Sequence, residues 1–211
     1  MSREFDMNTT LVFITSDVNT QRTYTMRARA DAVAQTREQI LEAGMALSEE
    51  KLSFAIGLAD IAQRAGVTVR TVLRHFGSRD GLFEALISFA REQVIQERET
   101  PIGDTARATH TIVGHYELRG DLVMRMLEAE TVDGRIAKHV AKGRRMHRDW
   151  VRTVFAPQLA DAADAKTLED LLVVATDVYT WKLLRRDAGL SRARTEERTH
   201  TLIRRLVGEE N

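Results

Sequence analysis

The chain of 211 residues has no cysteine. That excludes disulfides, thiol nucleophiles and thiolate metal sites. Proline occurs only twice, at Pro101 and Pro157, and long proline-free stretches rich in Ala, Leu, Arg and Glu favour helix throughout. Net charge is absent as well: 31 Lys and Arg balance 31 Asp and Glu, so attraction to nucleic acid would have to come from a local basic face. No apolar run is long enough to cross a bilayer, and no membrane partner is expected. Asp17 interrupts the N-terminal apolar stretch and no cleavage-type segment follows, which argues against a signal peptide and makes the cytoplasm the expected compartment. Catalytic signatures are missing too. There is no Gly-rich phosphate loop, no Gly-x-Ser-x-Gly and no His-Glu-x-x-His. His110 and His115 share no helix face, and neither do His139 and His147. No metal, no cofactor and no enzymatic activity are expected.

Apolar residues make up 43% of the chain and charged residues 29%, values typical of a soluble globular protein. Residues 58–79 read LADIAQRAGVTVRTVLRHFGSR. Leu58, Ile61, Ala62 and Ala65 form one apolar stripe at i, i+3, i+4 and i+7. Gly66 breaks the helix where a tight turn needs positive φ, Val67 follows as an apolar plug, and Thr68 can cap the next helix. That second helix is expected to put Val69, Val72, Leu73 and Phe76 on an apolar back and Arg70, Thr71, Arg74 and His75 on the front. Residues 63–79 hold four arginines (Arg64, Arg70, Arg74 and Arg79) and no acid. A short helix with an acid-free basic front suits the major groove, where Arg can pair with guanine edges.

Residues 1–29 are rich in Thr, Asn and Ser, with one strand-like patch, LVFIT at 11–15, and read as a flexible tail. Translation could start at Met1 or at Met26, and the sequence leaves both open. Arg27 and Arg29 could form a basic arm on DNA or simply face water. A first helix is expected from near Asp31 to near Ser48, then an extended connection with Leu52, Phe54 and Ile56 as apolar anchors. Ser78 should cap a fourth helix running to about Glu99, with Asp80 in its first turn and Thr100-Pro101 as its stop. Residues 104–118 and 122–129 read as two helices separated by Arg119-Gly120-Asp121. Residues 133–154 form a long basic helix whose charges are expected to face water, and Ala156-Pro157 ends it. Residues 168–186 carry one broad apolar stripe (Leu168, Leu171, Leu172, Ala175, Tyr179 and Leu183). Gly189 and Ser191 punctuate the chain before a last helix that contains Leu202, Ile203 and Leu206. The expected fold class is all-α, about nine helices, with a helix-turn-helix domain at 30–81 and a helical domain at 82–211.

From Arg37 to Leu86, the segments ILEAGMAL and LADIAQRAGVTVRTVLRHFGSRDGLFEAL resemble the N-terminal domain of the TetR family of bacterial transcriptional regulators. Several anchors recur in the family's order: Ile-Ala before Ala-Gly-Val, then His-Phe, a small residue, Ser, a basic residue and Leu. The resemblance implies that Thr68, Arg70, Thr71 and Arg74 face the groove, and that His75 and Arg79 touch phosphate. Where the family usually carries Tyr, this chain has Leu73, so that hydroxyl contact is lost. The two C-terminal helices joined by Gly-Leu-Ser are similar to the pair that makes a four-helix dimer interface in the family, which implies an interface of Leu168, Leu171, Leu172, Ala175, Tyr179, Leu202, Ile203 and Leu206. The resemblance further implies a homodimeric repressor that binds double-stranded operator DNA, with a small-molecule effector in the C-terminal domain. His115, Tyr116, Met124, Met146, Trp150, Tyr179 and Trp181 could line such a pocket, as could Met126 and Phe155, while core packing is the alternative for each. Two other readings stay open. One is an all-α ligand-binding or interaction protein whose helix-turn-helix no longer reads DNA, and the other is a helical enzyme using the C-terminal cavity.

Overall fold

The computed structural model describes residues 7–51 and 56–209, with side chains from residue 26 onward. Among these residues there are ten α-helices, one π-helical turn and no strand. None of the helices is long and apolar enough to cross a membrane.

The N-terminal unit is built from α1 (Met7–Lys51), α2 (Leu58–Arg64), α3 (Val69–Phe76) and the start of α4 (Arg79–Glu97). α1 corrects the tail expected at 1–29: from Met7 the backbone is helical, and LVFIT lies inside that helix rather than in a strand. No Gly or Pro occurs between Met7 and Ala43, so nothing in the segment stops a helix nucleated by the packed end of α1. That packed end begins at Ile40. Ile40, Leu41, Met45 and Leu47 join Ile56, Ile61, Ala62, Val72, Leu82 and Leu86 in one buried cluster. The connection expected around Leu52 and Phe54 lies outside the described residues.

The turn between α2 and α3 follows the sequence reading. Gly66 has φ 66, and Thr68 caps α3 by accepting the Thr71 N–H at 3.1 Å. Ser78 caps α4 through the Gly81 N–H at 3.0 Å.

Behind these lie α5 (Thr105–Ala129), α6 (Gly134–Val154), α7 (Ala156–Asp161), α8 (Ala165–Ala175), α9 (Val178–Lys182), the π-helical turn Leu183–Asp187 and α10 (Arg192–Val207). α5 is the central post, touching α1, α4, α6, α9 and α10. It is one helix where two were expected. Gly120 does not break it, because the Trp181 ring lies where a side chain would be: a Cβ there would stand 2.4 Å from the ring. The expected single helix at 168–186 is instead divided at Thr176-Asp177. The Thr176 hydroxyl bonds back to the Leu172 carbonyl at 2.7 Å, and Asp177 caps α9 through the Tyr179 N–H at 2.9 Å. These polar side chains compete with helix continuation. Two apolar clusters fill this part, one around Val151, Phe155, Leu172 and Ile203, the other around Ile112, Val113, Tyr116 and Trp181.

The seat of Trp181 on Gly120 is testable. Gly120→Ala should destabilise the protein by about 1–3 kcal/mol through overpacking, read as a lowered denaturant midpoint. A midpoint equal to or above that of the unsubstituted protein would refute the close contact.

Candidate nucleic-acid interface and ligand cavity

α3 is only eight residues long and packs by one edge. Val72 is fully buried and Phe76 half-buried, whereas Val69 and Leu73 are each 37% exposed. The apolar back expected at four positions is therefore narrower, since residues 72 and 76 point inward and residues 69 and 73 sit on the shoulder. Arg70, Arg74 and Arg79 are exposed. No ion pair engages any of the three among the described residues.

Arg64 differs from them. Its guanidinium is held by Glu50 of α1, with contacts of 2.7 and 2.6 Å. The acid-free face read along residues 63–79 thus receives an acid from elsewhere in the chain, and Arg64 is taken out of it. In return α1 contributes Arg37, whose guanidinium lies 4.9 Å from the centre of the Phe76 ring and acts electrostatically on His75. The sequence reading missed Arg37, because only folding brings α1 beside α3. Burial, with Arg74 and Arg37 adding to it, pushes His75 below its usual pKa, so this side chain offers a neutral hydrogen bond. Arg27 and Arg29 are exposed on α1 and belong to a helix, not to a free arm.

A concavity of about 170 Å³ lies among α4, α5, α6 and the α8–α9 junction. Of the residues expected at a pocket, His115, Tyr116, Met126, Met146 and Tyr179 line it. Met124, Trp150, Trp181 and Phe155 do not, which corrects those expectations. Trp181 is buried against Gly120 and donates to Glu117 at 3.0 Å. Trp150 donates to the Arg98 carbonyl at 2.9 Å, Phe155 is wholly buried in the core and Met124 packs beside Trp181. Arg98 and Asp177 also line the cavity and were not picked out, because nothing in the local sequence separates them from other helix charges; His139 and His147, weighed in the sequence as metal ligands, line it as well.

Polar groups around this cavity are tightly arranged. His147 Nδ1 lies 3.3 Å from an Arg98 NH group, which can only donate, so the ring proton belongs on Nε2. Nε2 then donates to the Thr176 hydroxyl at 3.1 Å, and that hydroxyl donates to the Leu172 carbonyl. Burial pushes His147 down to about 3, and the Arg98 charge works in the same direction. Burial likewise takes His115 down to about 4, although its hydrogen bond to Glu97 at 2.8 Å pulls the other way. Burial would raise Glu97, but hydrogen bonds from His115 and Arg119 outweigh it and hold the carboxyl at about 2. Arg119 reaches Glu97 at 2.6 Å, Glu49 of α1 at 2.7 Å and Gln93 at 2.9 Å. One guanidinium thus joins α1, α4 and α5 directly behind the cavity. Among the described residues no cluster of His, Asp or Glu could hold a metal ion.

The expected dimer face needs correction. Leu172, Ala175 and Ile203 are at most 1% exposed within their own protomer and cannot reach a partner. Leu168 and Leu206 are half-buried. Leu171, Tyr179 and Leu202 do face outward, joined by Val174 and Leu183. The stripe on α8 is broad enough to serve both directions, and only packing decides which half turns inward.

Residues 40–86 match the family model of the bacterial regulatory proteins of the tetR family. Two curated relatives are similar to the chain. The nucleoid occlusion factor SlmA of Marinobacter nauticus is 43% identical over 58 residues, which is 28% of this chain and 30% of that protein. The nucleoid occlusion factor SlmA of Alteromonas mediterranea is 30% identical over 117 residues, 48% of this chain and 59% of that protein. Both matches span less than two thirds of the relative's length.

The buried histidines set a pH dependence. Their folded pKa values, about 4 for His115 and about 3 for His147, lie below the ordinary 6.5. Below pH 6.5 the unfolded chain therefore takes up protons that the folded chain refuses. The thermal midpoint should stay level above that pH and fall as pH drops toward 4, with Glu97 extending the loss toward 2. His147→Gln should flatten part of the decline, measured relative to its own midpoint at neutral pH. An unchanged slope would mean that His147 is not held neutral.

Proposed function

We propose that this protein is a homodimeric transcriptional repressor that binds a palindromic operator and is released by a small-molecule effector, a reading supported by the match of residues 40–86 to the family model of the bacterial regulatory proteins of the tetR family. The observation that carries the reading is the outer side of α3, where Arg70 and Arg74 stand exposed without an ion pair among the described residues, flanked by Arg79. Arg70 and Arg74 read base edges from the major groove, with Thr68 and Thr71 beside them. Arg37, His75 and Arg79 hold phosphates, and the shoulder formed by Val69 and Leu73 meets thymine methyl groups. Arg27 and Arg29 lie further out along α1 and add a weaker phosphate contact.

Dimerisation runs through the outward residues of α8 and α10, with Leu171 and Leu202 as its centre. It sets two recognition helices about 34 Å apart, matching successive major grooves. The effector occupies the cavity beside His115, Tyr116, Met146 and Tyr179. α4 starts next to the DNA-facing helix and ends at that cavity, so a ligand that prefers one setting of α4 against α5 biases the spacing of the two heads. It can do so only by its differential affinity for the two settings. The matched family supports a regulator rather than an enzyme, and binding to chromosomal DNA supports the cytoplasm as its compartment. In a second reading, favoured by the name of both relatives, the same DNA binding serves nucleoid occlusion. Changed transcripts beside the bound sites after deletion of the gene support repression, whereas unchanged transcripts with septa formed across nucleoids support occlusion.

Selection of bound sequences from random duplex DNA should enrich a palindrome. Absence of any enriched sequence would favour an interaction protein with a silent helix-turn-helix. Within an enriched site, Arg70→Ala or Arg74→Ala should cost about 1–3 kcal/mol at one base position, and uniform weakening across all sequences would reassign that side chain to phosphate. Leu171→Glu or Leu202→Glu should yield folded monomers in sedimentation, while an undiminished dimer would overturn the placement of the interface.

A further inference from the structure

Arg98 is a buried cation that makes no ion pair among the described residues. It is 9% exposed and lines the cavity. Among the described residues no carboxylate lies within ion-pair distance of it, and its Nε–H has no partner. One of its NH groups is spent on His147 Nδ1 at 3.3 Å, and the guanidinium sits 5.6 Å from the centre of the Tyr116 ring. Glu97 is bound to His115 and Arg119 and Glu130 to Arg144, while Asp177 caps α9 and reaches Arg98 only through its field, beyond ion-pair distance. His115 and His147 are held neutral by burial and add no charge. Arg91 and Lys142 line the same space, so its charge leans positive.

A guanidinium withdrawn from water and left unpaired is costly, and an anion that supplies two oxygens relieves that cost through paired charge-assisted hydrogen bonds. The remaining walls are apolar, with Val94, Val123, Leu127, Val140 and Met146 among them. A volume of about 170 Å³ is close to the roughly 150 Å³ cavity that in another protein accepts benzene. Resting on the effector reading above, we propose that this cavity binds a monocarboxylate with a compact apolar body of about benzene size, its carboxylate on Arg98 and its body between Val94, Val123, Val140 and Met146. A phosphate or other dianion fits less well, since Lys142 is exposed to water, the histidines are neutral and the Asp177 carboxylate in the same lining repels a second negative charge. Arg98 closes the C-terminal end of α4, so the ligand's charged contact falls on the helix whose other end adjoins α3.

The test is calorimetric titration of the full chain, free of DNA, with benzoate, benzamide and benzylamine, repeated with 2-methylbutyrate and its amide. At least one acid should bind at least tenfold more tightly than its own amide, and benzylamine should not bind. Arg98→Met should erase the preference for the acid while circular dichroism stays helical. Should that variant fail to fold, the comparison of acid with amide on the unsubstituted protein decides alone. Equal or tighter binding of the amides, no binding by either acid, or a preference that survives in a folded Arg98→Met overturns the proposal. The outcome is independent of DNA recognition. An acid that binds on Arg98 yet leaves an operator complex intact supports this site and overturns only the effector role. A protein that binds its operator but shows no acid preference loses only this site.

Discussion

Arg119 holds three helices with one side chain. Its guanidinium meets Glu97 of α4, Glu49 of α1 and Gln93, from a position on α5 where it is nine-tenths buried. Removing charges from water is expensive, and a planar fork that satisfies several acceptors together is the arrangement that offsets it. The apolar core of the N-terminal unit is confined to α1 through α4, and the two C-terminal clusters do not reach it. Besides the continuous α4, which runs from one to the other, polar and directional contacts tie the head to the body: the Arg119 cluster on one side, and on the other Arg135, bonded to Asp80 at 2.7 Å and lying 5.3 Å from the centre of the Phe83 ring. Directional contacts of this kind have few alternative registers, so the junction can shift between discrete settings without unfolding either core.

The helix-turn-helix was legible because its constraints are local. Gly66 must take positive φ, Thr68 and Ser78 must cap, and Ile61, Ala62 and Val72 must be buried, and all of these can be read at fixed spacing. The division of residues 168–186 was not legible in the same way. Thr176 and Asp177 interrupt an otherwise continuous apolar stripe through side-chain bonds, one of which reaches His147 on another helix. Gly120 misled in the opposite sense, since its lack of a side chain serves Trp181 from far along the chain and not a turn. The site divides the same way. Arg70 and Arg74 announce themselves by an acid-free context, whereas Arg37 and Arg98 acquire meaning only from neighbours brought by the fold.

The zero net charge and the basic face are reconciled by the pairing pattern. Along α6, Arg135, Arg144, Arg148 and Arg152 are each met by a carboxylate, and Arg64 is met by Glu50. The acids that balance the chain are thereby spent in ion pairs on the body and the back of the head. Around α3 no such pairing occurs among the described residues, so Arg70 and Arg74 keep their charge on a short helix that carries no acid. Bulk charge is a poor guide to such a surface, because a field decays within about 10 Å at moderate salt and a ligand senses only the nearest groups.

The same localisation bears on how strongly a small ligand could act. Typical coupling between two sites is about 1–3 kcal/mol, and a hydrogen bond to a charged group contributes about 1.5–3 kcal/mol. A single charged contact made in one setting of α4 and lost in the other is thus of the right size, with no extended network required. Arg98 is suited to that part because its guanidinium is already desolvated and its Nε–H lacks a partner among the described residues, so a bond gained there replaces none at that atom. Arg119 is unsuited to it, since its charge is already satisfied by two carboxylates. The two arginines, on neighbouring helices and both nearly buried, therefore divide the work: one fixes the junction and the other leaves it open to bias.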